Sequence, residues 1–158
     1  MIFILQLLFL AVTYFICAIP FGLVITRAFL KQDIRDSGSG NIGATNVTRI
    51  GGKKLGALTL VLDGAKGALM VIFGRFLFND VTHLHLFLVL ISMVAVLAHI
   101  YPVYLNFKGG KGVATALAVA VLVNVLTASI AIVQVDDVVE AWASPSNSSV
   151  APALVIVV

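Results

Sequence analysis

The sequence predicts an all-α integral membrane protein, a polytopic helix bundle with about four transmembrane helices in this chain. Of its 158 residues, 61% are hydrophobic and only 11% are charged, and the mean hydropathy is +1.13. Soluble domains carry about 25% charged residues. A soluble core cannot absorb this excess of apolar side chains, so a lipid bilayer is the expected solvent.

Uninterrupted apolar segments predict where the chain crosses the membrane. The first, Met1–Thr26, has no charged residue and exceeds the roughly 20 residues that a spanning helix needs. It lacks the positive start and the small-residue cleavage site of a signal peptide, so we expect a permanent transmembrane helix. Further spans are expected at Leu55–Phe78, Leu84–Tyr104 and Val113–Val135.

Basic residues predict the orientation of these spans. The segment Arg27–Lys54 is rich in Lys and Arg, and Lys108 and Lys111 lie between the third and fourth spans. The short segment Asn79–His83 has neither Lys nor Arg. Because basic loops stay in the cytoplasm, we expect both basic loops inside and the N-terminus outside.

A small, polar stretch from Gly38 to Arg49, here the first glycine-rich segment, predicts a phosphate cradle. Its glycines match the G-x-G-x-x-G pattern, but a transmembrane helix precedes them, whereas a dinucleotide fold needs a strand there. Glycine-rich backbone can close its N–H groups on an anion, and Arg49 adds a planar fork suited to phosphate. The simpler alternative is an ordinary inter-helix loop, since Gly, Ser and Asn dominate turns.

The sequence FKGGKGVAT, residues 107–115, is the second glycine-rich segment. It places two lysines and a threonine hydroxyl where a helix begins, and a helix N-terminus with a nearby lysine favours anions. It is not a Walker A motif, because Gly112 stands where that motif needs Ser or Thr. Two such segments on one side of the membrane predict a phosphorylated substrate, or two substrates that each carry a phosphate.

Three stretches resemble the bacterial acyl-phosphate:glycerol-3-phosphate acyltransferase family, PlsY. They are GSGNIGATNVTR (38–49), LDGAKGA (62–68) and HIYPVYLNFKGGKGVAT (99–115). The resemblance implies a multi-pass enzyme of the bacterial inner membrane. It would move a fatty acyl group from acyl phosphate to the sn-1 hydroxyl of glycerol 3-phosphate, giving lysophosphatidic acid for phospholipid synthesis.

The same resemblance implies the partners and the domain organisation. Expected partners are acyl phosphate, glycerol 3-phosphate, membrane lipids and the soluble enzyme that makes acyl phosphate, without cofactor, metal or nucleic acid. Residues 1–135 should form one transmembrane domain. The family has further spans and a C-terminal signature with no counterpart here, so we expect residues 136–158 to be an atypical tail of a truncated, frameshifted or divergent copy.

Site residues follow from the two segments and their resemblance to the family. We expect catalysis to rest on positioning and charge stabilisation, with an oxygen of a substrate phosphate taking the hydroxyl proton. The catalytic residues are predicted to be Ser39, Arg49, Lys111 and His99. Substrate phosphate binding is predicted for Gly38, Gly40, Asn41, Gly43, Thr45, Asn46, Lys108, Gly109, Gly110 and Thr115.

The role of the polar residues inside the spans stays open at this point. His99 is either a base or a bridge to a neighbouring helix. Asp63 and Lys66, at i and i+3 in the second span, are expected to form an ion pair that supports the loop. Two alternatives to the enzyme also remain, a small transporter of a phosphorylated metabolite and an inactive membrane fragment of such an enzyme.

Overall fold

The α-helices of the protein, seen in a computed structural model, follow the apolar segments of the sequence. The structure describes residues 1–125, and this range contains no β-strand. Met1–Val123 form one compact unit. The helices are α1 (Ile2–Cys17), α2 (Phe21–Leu30), α3 (Ala44–Leu77), α4 (Leu84–Ile100) and α5 (Val113–Val125).

Within residues 1–125, three stretches are long and apolar enough to cross a membrane: Ile2–Leu30, Ala44–Leu77 and Leu84–Leu105. This confirms the predicted all-α membrane fold. The described part of the fourth predicted span, Val113–Val125, is a shorter apolar helix. The rest of that span and the tail 136–158 lie outside the described residues.

The first predicted span is not one continuous helix. The sequence predicted a helix through Met1–Thr26, but α1 ends at Cys17 and α2 begins at Phe21. Pro20 lies between them, and proline has no N–H to donate and disfavours helical backbone at the preceding residue. The chain therefore has an irregular joint here, and α2 continues to Leu30.

The second span begins earlier than predicted, at Ala44 instead of Leu55. Its helix breaks at Gly52, where φ is 81° and ψ is 172°, a conformation that glycine adopts without strain. Residues 44–51 bend back over the next turn, so that Thr48 packs against Gly56. The second half of the first glycine-rich segment is therefore a short helix and not a loop.

Small residues let the helices approach closely, as is common in membrane bundles. Helix α3 packs against α1, α2 and α4. Its Gly74 lies against Ile91 of α4, and its Gly67 lies against Thr115 and Val119 of α5. The outward face of the bundle carries exposed Ile, Leu and Phe side chains, as expected for a surface in contact with lipid.

A small apolar core fixes the two glycine-rich segments at one end of the bundle. It consists of Leu23, Ile34, Ile42, Val47 and Leu105. These residues come from α2, from the connection between α2 and α3, from the first turn of α3, and from the turn after α4. Burial of these apolar side chains in one cluster holds the two glycine-rich segments close together, independently of their polar contacts.

We predict that Gly67→Ala destabilises the bundle. A Cβ there would lie 2.8 Å from Cγ2 of Thr115 and 2.9 Å from Cγ1 of Val119, and both neighbours are stiff β-branched side chains. Overpacking costs about 1–3 kcal/mol, more than the gain of up to about 1 kcal/mol from replacing a helical glycine by alanine. Thermal unfolding of the purified protein in detergent measures the effect.

The matched control is Gly64→Ala in the same helix. A Cβ at Gly64 meets its nearest neighbour, Cβ of Ala118, at an ordinary 3.5 Å. We expect this variant to unfold at or above the temperature of the unsubstituted protein. The packing argument is wrong if Gly67→Ala is as stable as Gly64→Ala.

Candidate active site

A cavity of about 330 Å³ opens where the two glycine-rich segments meet, and we call it the site cavity. Its volume lies within the range of about 300–1,000 Å³ usual for small-molecule sites. The first segment and the start of α3 contribute one wall, the middle of α3 and the end of α4 a second, and the second segment with α5 a third. Its polar lining residues are Ser39, Asn41, Thr45, Asn46, Arg49, Asp63, His99 and Lys111.

Asn46 holds the first segment in shape. The side chain is 2% exposed, and its Oδ1 accepts a hydrogen bond from Ser39 N–H at 3.0 Å. Its Nδ2 donates to the carbonyls of Ile34, Ser37 and Asn41 at 2.9–3.3 Å. One amide thus satisfies buried backbone groups that the loop cannot pair within itself.

Backbone conformation explains why glycine occurs at two positions of this loop. Gly38 and Gly40 have φ values of +61° and +69°, in the left-handed region that other residues rarely enter. At Gly38 a Cβ would also overlap Oδ1 of Asn46. Asn41 adds a local bond, since its Oδ1 accepts the N–H of Gly43 at 2.9 Å.

Ion pairs anchor the start of this loop. Asp33 accepts hydrogen bonds from Arg27 at 2.6 Å and from Nε and Nη2 of Arg35 at 2.9 and 2.7 Å. The bonds from Arg35, together with that from Arg27, hold the pKa of the Asp33 carboxyl well below its usual range. Its carboxylate therefore stays charged at neutral pH, and the anchor would weaken only as strongly acidic solution protonates it.

The second segment folds back onto the end of α4. The N–H of Gly109 donates to the carbonyl of Ile100 at 3.0 Å, and the N–H of Gly110 donates to that of His99 at 3.1 Å. A Cβ at either glycine would overlap α4, at Gly110 on Nε2 of His99. These contacts place the neighbouring Lys111 on the wall of the site cavity.

Charged groups lie deep in the wall formed by α3 and α4. Asp63 and Lys66 form an ion pair of 2.9 Å with both side chains 3% exposed. Nδ1 of His99 lies 3.6 Å from the same Oδ1 of Asp63. Sequence reasoning predicted the Asp63–Lys66 pair as structural support and did not place Asp63 on the cavity. The signal available was a charged i, i+3 pair inside a membrane span.

A second opening of about 500 Å³, the side cavity, shares Ser39 and Asn41 with the site cavity. Its cationic lining residues are Arg35 and Lys108, and Gly40 and Gly109 also line it. Lys108 and Lys111, which the sequence analysis assigns to one anion site, therefore line different openings.

The other predicted residues divide by position. Gly43, Thr45, Arg49 and His99 line the site cavity, with Ser39, Asn41, Asn46 and Lys111. Gly38, Gly110 and Thr115 line neither opening. Thr115 is fully buried, and its hydroxyl donates to the backbone carbonyl of Asp63 at 2.8 Å. The structure thus shows Thr115 joining α5 to α3.

We predict that Asn46→Ala loosens the first segment. The substitution would leave the Ser39 N–H and several carbonyls without their partner, and each buried unpaired group costs about 1–3 kcal/mol. Hydrogen exchange of the Ser39 amide should become at least about tenfold faster, since the opening equilibrium controls its exchange. The exposed Asn79→Ala is the control and should leave that exchange unchanged. Unaltered protection of Ser39 in Asn46→Ala would refute this role.

Comparisons with known proteins agree with the geometry. A family model described as "Glycerol-3-phosphate acyltransferase" matches residues 7–158. The glycerol-3-phosphate acyltransferase of Myxococcus xanthus (strain DK1622) is 55% identical over 106 residues, covering 67% of this chain and 54% of the relative. That of Anaeromyxobacter sp. (strain Fw109-5) is 46% identical over 121 residues, covering 77% of this chain and 60% of the relative. The chain thus spans little more than half the length of these relatives.

Solved structures show the same fold. The crystal structure of PlsY (YgiH), an integral membrane glycerol 3-phosphate acyltransferase, in its glycerol 3-phosphate form has a TM-score of 0.67 and 42% identity. That match covers 81% of this chain and 62% of the other. The lysophosphatidic acid form of PlsY gives a TM-score of 0.65 and 40% identity, over 81% of this chain and 61% of the other. This chain belongs to the glycerol-3-phosphate acyltransferase family.

Proposed function

We propose that this chain binds glycerol 3-phosphate and acyl phosphate and transfers the acyl group to the sn-1 hydroxyl, releasing inorganic phosphate and lysophosphatidic acid. The observation that carries the proposal is the convergence of Arg49, Lys111 and Ser39 on one cavity. The relatives named glycerol-3-phosphate acyltransferases support it, and PlsY has been crystallised in glycerol 3-phosphate and lysophosphatidic acid forms.

Phosphate binding is the first task of the site cavity. Arg49 and Lys111 approach it from different walls, one as a planar fork and the other as a compact point charge. Hydroxyls of Ser39 and Thr45 add neutral donors. Asn46 acts by keeping Ser39 in place, because its amide is already bonded to the loop. We assign Thr115 a supporting role through its bond to Asp63.

The acyl chain requires an apolar path into the membrane. Leu60, Val113 and Leu117 are the large apolar side chains of the cavity lining, and they are 53–63% exposed. The opening between α3 and α5 therefore joins the polar cavity to the lipid-facing surface. A long-chain acyl phosphate can place its chain there and its phosphate beside the cationic residues.

The proposed reaction is a direct displacement. The sn-1 hydroxyl oxygen attacks the acyl carbonyl carbon and forms a new C–O bond, and the bond from that carbon to the phosphate oxygen breaks. Inorganic phosphate leaves with the electron pair, and an oxygen of a substrate phosphate takes the hydroxyl proton. Lys111 and Arg49 stabilise the charge that develops, and alignment of two bound reactants can supply about 7–11 kcal/mol.

The side cavity fits a supporting role at the membrane surface. Arg35 and Lys108 line it, and it shares Ser39 with the site cavity. Positive charge at such an opening raises the local concentration of anionic substrates. We place this end of the bundle on the cytoplasmic face of the bacterial inner membrane, with the N-terminus outside, because the basic residues cluster here. The soluble enzyme that makes acyl phosphate would then act on the same side.

Activity assays test the proposal directly. Purified protein in lipid nanodiscs, given acyl phosphate and labelled glycerol 3-phosphate, should form labelled lysophosphatidic acid. Arg49→Ala, Lys111→Ala and Ser39→Ala should each lower kcat/KM, by about 10²–10³ where the lost group stabilises developing charge. Lys53→Ala and Lys54→Ala are the matched controls, because both lysines are exposed and line neither cavity.

The same assay separates the alternatives. Uptake of labelled glycerol 3-phosphate into proteoliposomes without product would instead support a transporter. The absence of both product and uptake would support an inactive fragment. Equal losses in the cavity variants and in the two lysine controls would show general misfolding and contradict the assigned roles.

A further inference from the structure

The inner wall of the site cavity contains charge in a place where charge is costly. Asp63 lines the cavity, yet its side chain and that of Lys66 are only 3% exposed. Ionisable groups within membrane spans are rare, and they are paired or functional where they occur. This pair is close, at 2.9 Å, so the remaining question is whether Asp63 does more than neutralise Lys66.

Lys66 already has a structural task. Its Nζ donates to the carbonyl of Ile19 at 2.7 Å, at the joint between α1 and α2, and lies 5.6 Å from the centre of the Phe21 ring. These contacts fix the ammonium group, and the ammonium group fixes Oδ1 of Asp63. Asp63 is therefore held at the cavity wall by a partner that does not itself line the cavity.

The carboxylate of Asp63, on α3, faces His99 on α4. The histidine is 4% exposed, and its Nδ1 is buried without a hydrogen-bond partner. That nitrogen lies 3.6 Å from Oδ1 of Asp63, slightly beyond hydrogen-bond length. On the opposite side, Nε2 is packed against Gly110. Leaving a buried nitrogen unpaired is costly, and Asp63 is the nearby acceptor for it.

We propose that Asp63 is a positioning residue that sets the tautomer of His99. When substrate binds, Nδ1–H donates to Asp63, and the unprotonated Nε2 accepts a hydrogen bond from the sn-2 hydroxyl of glycerol 3-phosphate, which does not react. Neutral imidazole has one donor and one acceptor nitrogen, so fixing one defines the other. Hydrogen bonds in active sites are often long before substrate binds. The inference rests on the proposed function for the identity of the hydroxyl compound.

A merely structural role makes a different prediction. If Asp63 only balances the charge of Lys66, removing both charges together should leave the tautomer of His99 unchanged, even where loss of the Lys66 bond to Ile19 lowers activity. Single removal is uninformative, because it strands a buried charge and threatens folding. The informative variant is therefore the double substitution Asp63→Leu with Lys66→Met, which nearly keeps side-chain size, removes both charges and leaves no acceptor for Nδ1 of His99.

The test reads the ring nitrogens of His99 by ¹⁵N NMR in the full chain, with and without glycerol 3-phosphate. In the unsubstituted protein with glycerol 3-phosphate, we expect the proton on Nδ1 and an unprotonated Nε2 that accepts a hydrogen bond. In the double variant this preference should be lost. The KM for glycerol 3-phosphate should rise, or kcat should fall, so that kcat/KM drops about tenfold or more.

Thr59→Val is the matched control on the same helix. Thr59 is fully buried, and its hydroxyl donates only within α3, to Leu55 at 2.9 Å. We expect this variant to keep the His99 tautomer and the unsubstituted kcat/KM. Thermal unfolding of both variants checks that each is folded.

The outcomes separate this inference from the proposed function. A His99 tautomer that is unchanged in the double variant overturns the role of Asp63, whether or not the protein transfers acyl groups. A double variant as active as Thr59→Val overturns it as well. A tautomer that depends on Asp63 in a protein without acyl transfer supports the positioning role and contradicts the proposed function alone.

Discussion

The ion pair between Lys66 and Asp63 is the interaction on which the rest of the structure depends. A lone charge at the centre of a membrane helix costs roughly 2.5–3.5 kcal/mol on insertion scales, so neither residue is tolerable alone. Together they join the α1–α2 joint to α3, because Lys66 also bonds the carbonyl of Ile19. Thr115 ties α5 to the same turn of α3. A single buried charge pair thus organises the wall from which the cavity is built.

The two glycine-rich segments are held at that cavity by different interactions. The first depends on a buried amide, since Asn46 satisfies backbone groups of the loop from Ile34 to Asn41. The second depends on the absence of side chains, because Gly109 and Gly110 lie directly against the end of α4. Their cationic residues remain outside these contacts and are exposed at the cavity. A backbone fixed by these contacts and exposed cationic side chains together suit the recognition of an anion.

Much of the architecture could be predicted from hydropathy, since long apolar stretches have few alternatives in a bilayer. The breaks in the helices could not be predicted in this way. Pro20 and Gly52 cause them through local backbone geometry, which an average hydropathy does not register. Arg49 and Lys111 were predicted because basic residues among glycines indicate an anion site. The position of Asp63 on the cavity wall was not predicted, because an i, i+3 charge pair within a span is equally consistent with a purely structural ion pair. The partner of the Thr115 hydroxyl depends on helix packing that only the structure shows.

The most direct test of this account asks whether both glycine-rich segments bind one ligand on one side of the membrane. Cysteine introduced at Thr45 or at Lys111 can be labelled by a membrane-impermeant thiol reagent, with Lys53→Cys as the control; the native Cys17 is buried. The account predicts labelling of Thr45→Cys and Lys111→Cys from the cytoplasmic side. Glycerol 3-phosphate should protect Thr45→Cys but not Lys53→Cys, and this protection should be lost when Lys111 is also replaced by alanine. Labelling from opposite sides, or protection of Thr45→Cys that survives Lys111→Ala, would contradict it.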